Sequence, residues 1–139
     1  MVLVDTTIWS LALRRRSADL GPDERTLVEE WASLVKVGGA ALVGPIRQEI
    51  LSGIRRPRVF RALQERLSDF PYLEILPRDY DQAAMFFNAC RARGASGSAI
   101  DMLICACASR HRVPVFTADS DFVRYARYVP IGLHEPPRR

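Results

Sequence analysis

Val2-Leu3-Val4-Asp5-Thr6-Thr7-Ile8-Trp9 packs three aliphatic residues, a carboxylate, two hydroxyls and a return to apolar residues into eight positions. A short aliphatic run without alternation is the mark of a strand buried on both faces. Such strands belong to parallel sheets covered by helices. The residues after Asp5, with Ile8, Trp9, Leu11 and Leu13 recurring through Thr6 to Arg14, read as a first helix. The carboxylate therefore sits at the carboxyl end of the first strand. In parallel α/β sheets the functional crevice opens at that edge.

Outward from this start, strands and helices alternate. Gly21-Pro22-Asp23-Glu24 opens a second helix, with proline and acids in its first turn. Leu27, Val28, Trp31, Leu34 and Val35 form its apolar face, and Gly38-Gly39 ends it. Ala40 to Val43 reads as a second strand. Helices follow from Pro45, with Ile46, Ile50 and Ile54 in step, and from Pro57 to Phe70. Tyr72 to Leu76 is expected as a third strand, then helices over Tyr80–Arg93 and Ser98–Arg112. Val115-Phe116-Thr117 reads as a fourth strand, Asp121 to Tyr128 as a short helix, and Ile131 to Leu133 as a fifth, edge strand. The expected fold is α/β: a central, mostly parallel sheet of 4–5 short strands flanked by helices on both faces. No repeat or linker divides it. Residues 1–134 are expected to form one domain and 135–139 a short flexible tail.

Composition narrows the function classes. The chain has 139 residues, enough for one core; 48% are hydrophobic and 26% charged, which excludes disorder and low complexity. No apolar run reaches the ~20 residues of a membrane helix. Asp5 interrupts the first apolar stretch and Arg14-Arg15-Arg16 follows it, the reverse of a secretory leader. Cys90, Cys105 and Cys107 lie among apolar helical residues and form no ligand spacing with His111 or His134. They read as buried free thiols, and the chain as a soluble cytoplasmic protein with no membrane partner. The net charge is +4, and Lys36 is the single lysine among 20 basic residues. A surface rich in arginine suits phosphate, although a high-GC genome produces the same bias.

The carboxylates carry the chemistry. Asp5 and Asp119 follow strands and could each be a helix N-cap. Asp101 is the only charge between Ala99 and Ala108, in a helix apolar nearly all round. A capping box with Ser98 accounts for part of it; an acid buried in such surroundings needs further compensation. Glu49 lies on the flank of the Ile46/Ile50/Ile54 stripe, where pairing with Arg47 or Arg55 is the plainer role. Two acids at strand ends and two near helix starts can converge on one crevice. Clustered carboxylates cannot all ionise without a cation, and an all-oxygen set suits Mg²⁺ or Mn²⁺. An acidic mouth in a basic surface is suited to metal-assisted phosphodiester hydrolysis.

These residues, in this order, resemble the PIN-domain nucleases, and within them the VapC-type toxins of toxin–antitoxin pairs. Val4-Asp5-Thr6-Thr7-Ile8-Trp9 is similar to the opening strand-end motif. Gln48-Glu49-Ile50-Leu51-Ser52-Gly53 resembles the second, Ile100-Asp101-Met102-Leu103-Ile104 the third, and Thr117-Ala118-Asp119-Ser120-Asp121-Phe122 the fourth. The resemblance covers essentially the whole chain. It implies a metal-dependent endoribonuclease with Asp5, Glu49, Asp101 and Asp119 as an acidic quartet and Asp121 as an auxiliary acid. Thr7, where serine is frequent, and Thr117 would be the hydroxyls that order the site. It implies Mg²⁺ or Mn²⁺ held by Asp5, Asp101 and Asp119. Glu49 would either take a second metal or orient the attacking water. It also implies an RNA substrate, a small antitoxin partner and a homodimer. Arg14, Arg15, Arg16, Arg91 and Arg93 are the candidates for holding the RNA backbone.

Other readings compete. A phospho-receiver domain needs paired acids after the first strand and a lysine after a late one; Thr6-Thr7 and the isolated Lys36 argue against it. A PIN-like module that only binds RNA or protein has no need of four clustered acids. A solitary RNA-processing nuclease without an antitoxin has the same residues as a toxin. Trp9 and Trp31 fit either a core or a partner groove.

Overall fold

The computed structural model describes residues 1–138; of the expected flexible tail, Arg139 lies outside the described residues. Strand β1 (Val2–Val4) is central, between β2 (Ala40–Ala41) and β3 (Val115–Phe116), both parallel to it. Val2 pairs with Ala40, and Leu3 and Val4 pair with Val115 and Phe116. Every residue of the three strands is buried. Since neighbouring side chains point to opposite faces, both faces of the sheet are covered, as the unbroken aliphatic run requires.

Among the described residues seven α-helices flank the sheet: α1 (Thr6–Leu13), α2 (Pro22–Lys36), α3 (Gly44–Leu51), α4 (Pro57–Leu67), α5 (Pro77–Ala92), α6 (Ala99–His111) and α7 (Asp121–Tyr125). Prolines stand in the first turn of α2, α3, α4 and α5, where the missing N–H has no partner to lose. Helix α5 begins one turn before the expected Tyr80. Pro77 starts it, and the Asp79 carboxylate reaches back to accept the Leu76 N–H at 2.7 Å. Gly38 and Gly94 adopt φ of 71° and 74° just past α2 and α5, the left-handed conformation that ends a helix at little cost to glycine.

Two expected strands contract to single parallel bridges, Leu42 with Tyr72 and Val115 with Leu133. The first cannot lengthen, because Val43-Gly44-Pro45 turns into α3 and withdraws the partner. The second lies against a strand only two residues long. The parallel, helix-flanked sheet stands, with three strands among the described residues in place of four or five.

Trp9 and Trp31 are both buried. Trp9 donates its indole N–H to the Val4 carbonyl at 2.8 Å and meets Trp31 and Phe70 edge-on, at 5.7 and 4.7 Å between ring centroids. This aromatic cluster locks α1 and α2 to the chain leaving α4, so both tryptophans are core and neither lines a groove. Met102 to Ala108 are buried without a break, which makes α6 an interior helix. The three cysteines are buried and free. Among the described residues, no helix is long and apolar enough to cross a membrane.

Candidate active site

Because the three strands are parallel, the residues that follow β1 and β3 emerge at one edge of the sheet. Asp5 follows β1 at the N-cap position of α1, and its N–H donates to the Phe116 carbonyl at 2.8 Å. That bond continues the ladder one residue beyond the strands and brings Thr117 alongside. Asp5 is 5% exposed. Its Oδ2 accepts the Thr117 hydroxyl at 2.8 Å and the Thr7 hydroxyl at 2.9 Å. Each hydroxyl also accepts a backbone N–H: Thr7 from Ala118 and Thr117 from Asp119, both at 2.9 Å. The two threonines thus tie the Asp5 carboxylate to the loop that carries Asp119. Asp119 Oδ1 accepts the Asp121 N–H at 2.9 Å, a turn that fixes the start of α7.

Asp101 comes from the first turn of α6. Its N–H donates to the Ser98 hydroxyl at 3.0 Å, the capping bond expected from the sequence. Its carboxylate does something else: Oδ2 accepts the Tyr125 hydroxyl of α7 at 3.0 Å. Gly97 makes room for that contact. A Cβ there would lie 2.9 Å from the Tyr125 hydroxyl and 2.7 Å from the Met102 methyl. Glu49, exposed on α3, accepts the Thr6 hydroxyl at 2.5 Å. Adjacent threonines on one helical turn therefore serve different acids, Thr6 serving Glu49 and Thr7 serving Asp5.

Electrostatics report the convergence. Burial pushes the Asp5 carboxyl above its ordinary value, against the hydroxyls of Thr117 and Thr7, which favour the charged form. Burial also pushes Asp101 up; Tyr125 opposes this, while the negative charges of Asp5 and Asp119 add to it. The Tyr125 phenol is held protonated by burial and by donating to Asp101. Asp5, Asp101 and Asp119 thus share one electrostatic neighbourhood, and Glu49 is attached to it through Thr6.

The remaining expected residues divide. Asp121, half exposed, faces Arg124 at 3.6 Å within α7. Arg15 pairs with Glu24 at 2.9 Å. Arg14, at the C-cap of α1, lines a cleft with Leu13, Ile54, Leu63 and Arg66. Arg16 is exposed before the 3-10 turn Ser17–Asp19. Arg14 and Arg16 leave the end of α1 away from Asp5, whereas Arg15 lines a cleft with Thr6, Thr7, Ser10 and Ala118 beside the site. Arg91 and Arg93 end α5, and Arg93 stacks 6.0 Å over the Tyr128 ring.

Sequence reading missed Thr6 and Tyr125. Thr6 was visible as a hydroxyl beside Asp5, but only the phase of α1 decides which acid it meets. Tyr125 carries no signal; the docking of α7 across Gly97 places it.

As the side chains stand, no group of three or more His, Cys, Asp or Glu among the described residues is gathered closely enough to hold a metal ion. Each acid of the expected set has a partner of its own: hydroxyls at Asp5 and Asp101, a backbone N–H at Asp119. The chemistry of the donor set nevertheless fits a hard divalent cation, being all oxygen with no thiol or imidazole among it.

The PIN domain family model matches residues 2–128. Among solved structures, the chain is similar to FitAcB from Neisseria gonorrhoeae, at 19% identity and a TM-score of 0.71, with 98% of each chain covered. It is equally similar to FitAB bound to an IR36 DNA fragment, at 19% identity and a TM-score of 0.71, covering 98% of this chain and 95% of that one. A toxin–antitoxin complex from Klebsiella pneumoniae matches at 19% identity and a TM-score of 0.65, over 88% of this chain and 90% of that one. At such identities the likeness is one of fold. No curated protein sequence matches. With the family model spanning nearly the whole length, on the parallel fold described above, the chain belongs to the PIN-domain family, whose members are generally nucleases.

Proposed function

We propose that this protein is a metal-dependent endoribonuclease, the toxin of a toxin–antitoxin pair, acting as a homodimer. The observation that carries the nuclease reading is the strand-edge unit in which Thr7 and Thr117 bond to Asp5 and Thr117 also accepts the Asp119 N–H. Carboxylates are not brought together for stability, since their repulsion opposes folding. The toxin reading is supported by the fold shared with a toxin–antitoxin complex.

Asp5, Asp101 and Asp119 would hold Mg²⁺ or Mn²⁺. When bound, a divalent cation stabilises charge on the scissile phosphate and acidifies water. The chain's own residues do the rest. Thr7 and Thr117 fix the direction of the Asp5 carboxylate. Tyr125, kept protonated, does the same for Asp101. Glu49, tethered through Thr6, would orient the water that attacks phosphorus and take up its proton, while the P–O bond to the leaving nucleotide breaks and the departing oxygen takes a proton from solvent. Arg93 and the exposed Arg14 and Arg16 attract the RNA backbone. An antitoxin that inhibits at this mouth would present a cation to the acids, and arginine suits this because its fork engages two carboxylates.

The test is cleavage of RNA by wild type and Asp5→Asn, each with Mn²⁺ and with chelator. Cleavage by wild type with Mn²⁺ alone is expected. Cleavage that survives chelation, or that Asp5→Asn retains in full, overturns the metal–carboxylate reading. A folded wild type that binds RNA without cutting it supports a binding module instead.

A further inference from the structure

Two segments rich in arginine meet beside the candidate site. The first, Arg91 to Ile100, leaves α5 and enters α6; the second, Phe122 to His134, runs through α7 and beyond it. Neither contains an acid, and together they carry Arg91, Arg93, Arg124 and Arg127, all exposed. Two contacts clamp the segments. Arg124 donates to the Gly94 carbonyl at 2.9 Å, and the Arg93 guanidinium lies over the Tyr128 ring, 6.0 Å from its centroid. Helix-like hydrogen bonds continue past Tyr125, with the Arg127 N–H donating to the Arg124 carbonyl and the Tyr128 N–H to the Tyr125 carbonyl. Arg124, Arg127 and Tyr128 thus stand at i, i+3 and i+4 on one side. Phe122, Tyr125 and Val129 are buried on the other.

The chemistry of this side names its ligand. Arg124 faces Asp121 at 3.6 Å, but Arg91, Arg93 and Arg127 are in no ion pair among the described residues. Unneutralised arginines gathered on one surface attract an anion. The arginine set over Tyr128, which is 37% exposed, narrows the choice. Bases splayed from a single strand stack on aromatic rings and on guanidinium planes, whereas a duplex keeps its bases inside. An acidic protein segment would engage the charges and leave the stacking surface unused. The patch is also joined to the acids. Tyr125, adjacent to Arg124, donates to Asp101 and passes beside Gly97. Gly94, gripped by Arg124, is three residues from Gly97, at most about 11 Å of chain. A strand lying at the acids reaches this side within about three nucleotides.

We propose that Arg93, Arg124, Arg127 and Tyr128 form a subsite for a single-stranded RNA segment flanking the position of cleavage: Arg124 and Arg127 hold its phosphates, and an unpaired base stacks on Arg93 and Tyr128. The proposal rests on the ribonuclease reading above and gives its substrate a conformation and a path.

The test is fluorescence anisotropy of the full chain with a fluorescein-labelled 12-nucleotide RNA, as a single strand and as a duplex with its complement. Chelator is present, so that binding is read without cleavage. Wild type is expected to bind the single strand. Tyr128→Ala should weaken that binding at least about fivefold and duplex binding less than about twofold, while Tyr128→Phe binds as wild type. Arg93→Lys keeps the charge and removes the plane, and should also favour the duplex relative to the single strand. Arg127→Gln should lower the slope of log affinity against log salt by about 0.7. Circular dichroism checks that each variant folds, and Arg93→Lys decides the stack if Tyr128→Ala does not. A wild type that binds neither RNA overturns the ribonuclease reading and this subsite with it. Single-strand binding that neither Tyr128→Ala nor Arg93→Lys weakens leaves the ribonuclease reading standing and overturns the stack. An unchanged salt slope in Arg127→Gln overturns its phosphate contact. Equal losses for single strand, duplex and poly-glutamate mark a general anion surface and overturn the assignment to single-stranded RNA.

Discussion

At the scale of single residues, Thr117 has the most to lose. Its one hydroxyl donates to Asp5 and accepts the Asp119 N–H, joining two acids that follow different strands. Thr117→Val keeps the shape and removes both bonds. The Asp5 carboxyl loses the stronger of its two hydroxyl partners and moves further up from its ordinary value. Partners of metal-ligating groups typically account for about 10–100-fold in metal affinity or activity. Mn²⁺-dependent cleavage by Thr117→Val is expected to fall within that range, with a modestly lower thermal midpoint from the two lost bonds. A variant as active as wild type at low Mn²⁺ would show that Thr117 does not position Asp5. Thr7 and Thr117 were legible from the motifs as site hydroxyls. Their convergence on one oxygen was not, because it depends on a register between residues 112 positions apart.

At the scale of elements, α5 and α6 are held by a charge pair far from the site. Asp79, 2% exposed, accepts Arg110 Nε at 2.7 Å and a second Arg110 nitrogen at 3.0 Å. The same arginine donates to the Glu74 carbonyl at 2.7 Å. Burial alone would push the Asp79 carboxyl up, but its bonds to Arg110 and the Leu76 N–H, with the arginine's charge, hold it below the ordinary range. A carboxyl with a depressed folded value contributes stability that is present above its unfolded pKa and lost as pH falls through the folded one. Arg110 is about a quarter exposed, so solvent screens the pair and its loss costs less than that of a fully buried one. Asp79→Ala should therefore unfold more easily at neutral pH, and the gap to wild type should narrow below about pH 4. Denaturant titrations at several pH values measure it, and a gap independent of pH would mean that packing, not charge, is at stake. The sequence showed both helices but not this bond. The expected start of α5 at Tyr80 left Asp79 outside the helix, and only the pairing with α6 makes a buried acid tolerable there.

At the scale of the whole molecule, the site opposes the fold that builds it. Asp5 and Asp101 both titrate above their ordinary values, so the folded chain holds their protons more tightly than the unfolded one. The stability linked to them is present below the unfolded carboxylate range and is lost as pH rises through the raised values. At neutral pH the metal-free protein thus carries an electrostatic load. Asp101→Asn, which keeps an acceptor for Tyr125, should melt higher than wild type in chelator. Wild type should gain from Mn²⁺, by about 2.7 kcal/mol at a hundred times its dissociation constant, and the variant less. Thermal unfolding with and without Mn²⁺ measures both, and equal gains would remove Asp101 from the ligand set. The sequence by itself determined the parallel α/β class, the order of its principal elements and the acids from which the proposed site is built. Those rest on local hydrophobic period, on caps and breakers, and on the anomaly of a charge in an apolar helix. Only the tertiary structure decided that two expected strands shrink to bridges, that Tyr125 closes on Asp101 over Gly97, and that Asp79 is buried against Arg110. Each of these depends on which surfaces meet, a sum of packing contacts between distant segments that no local pattern encodes.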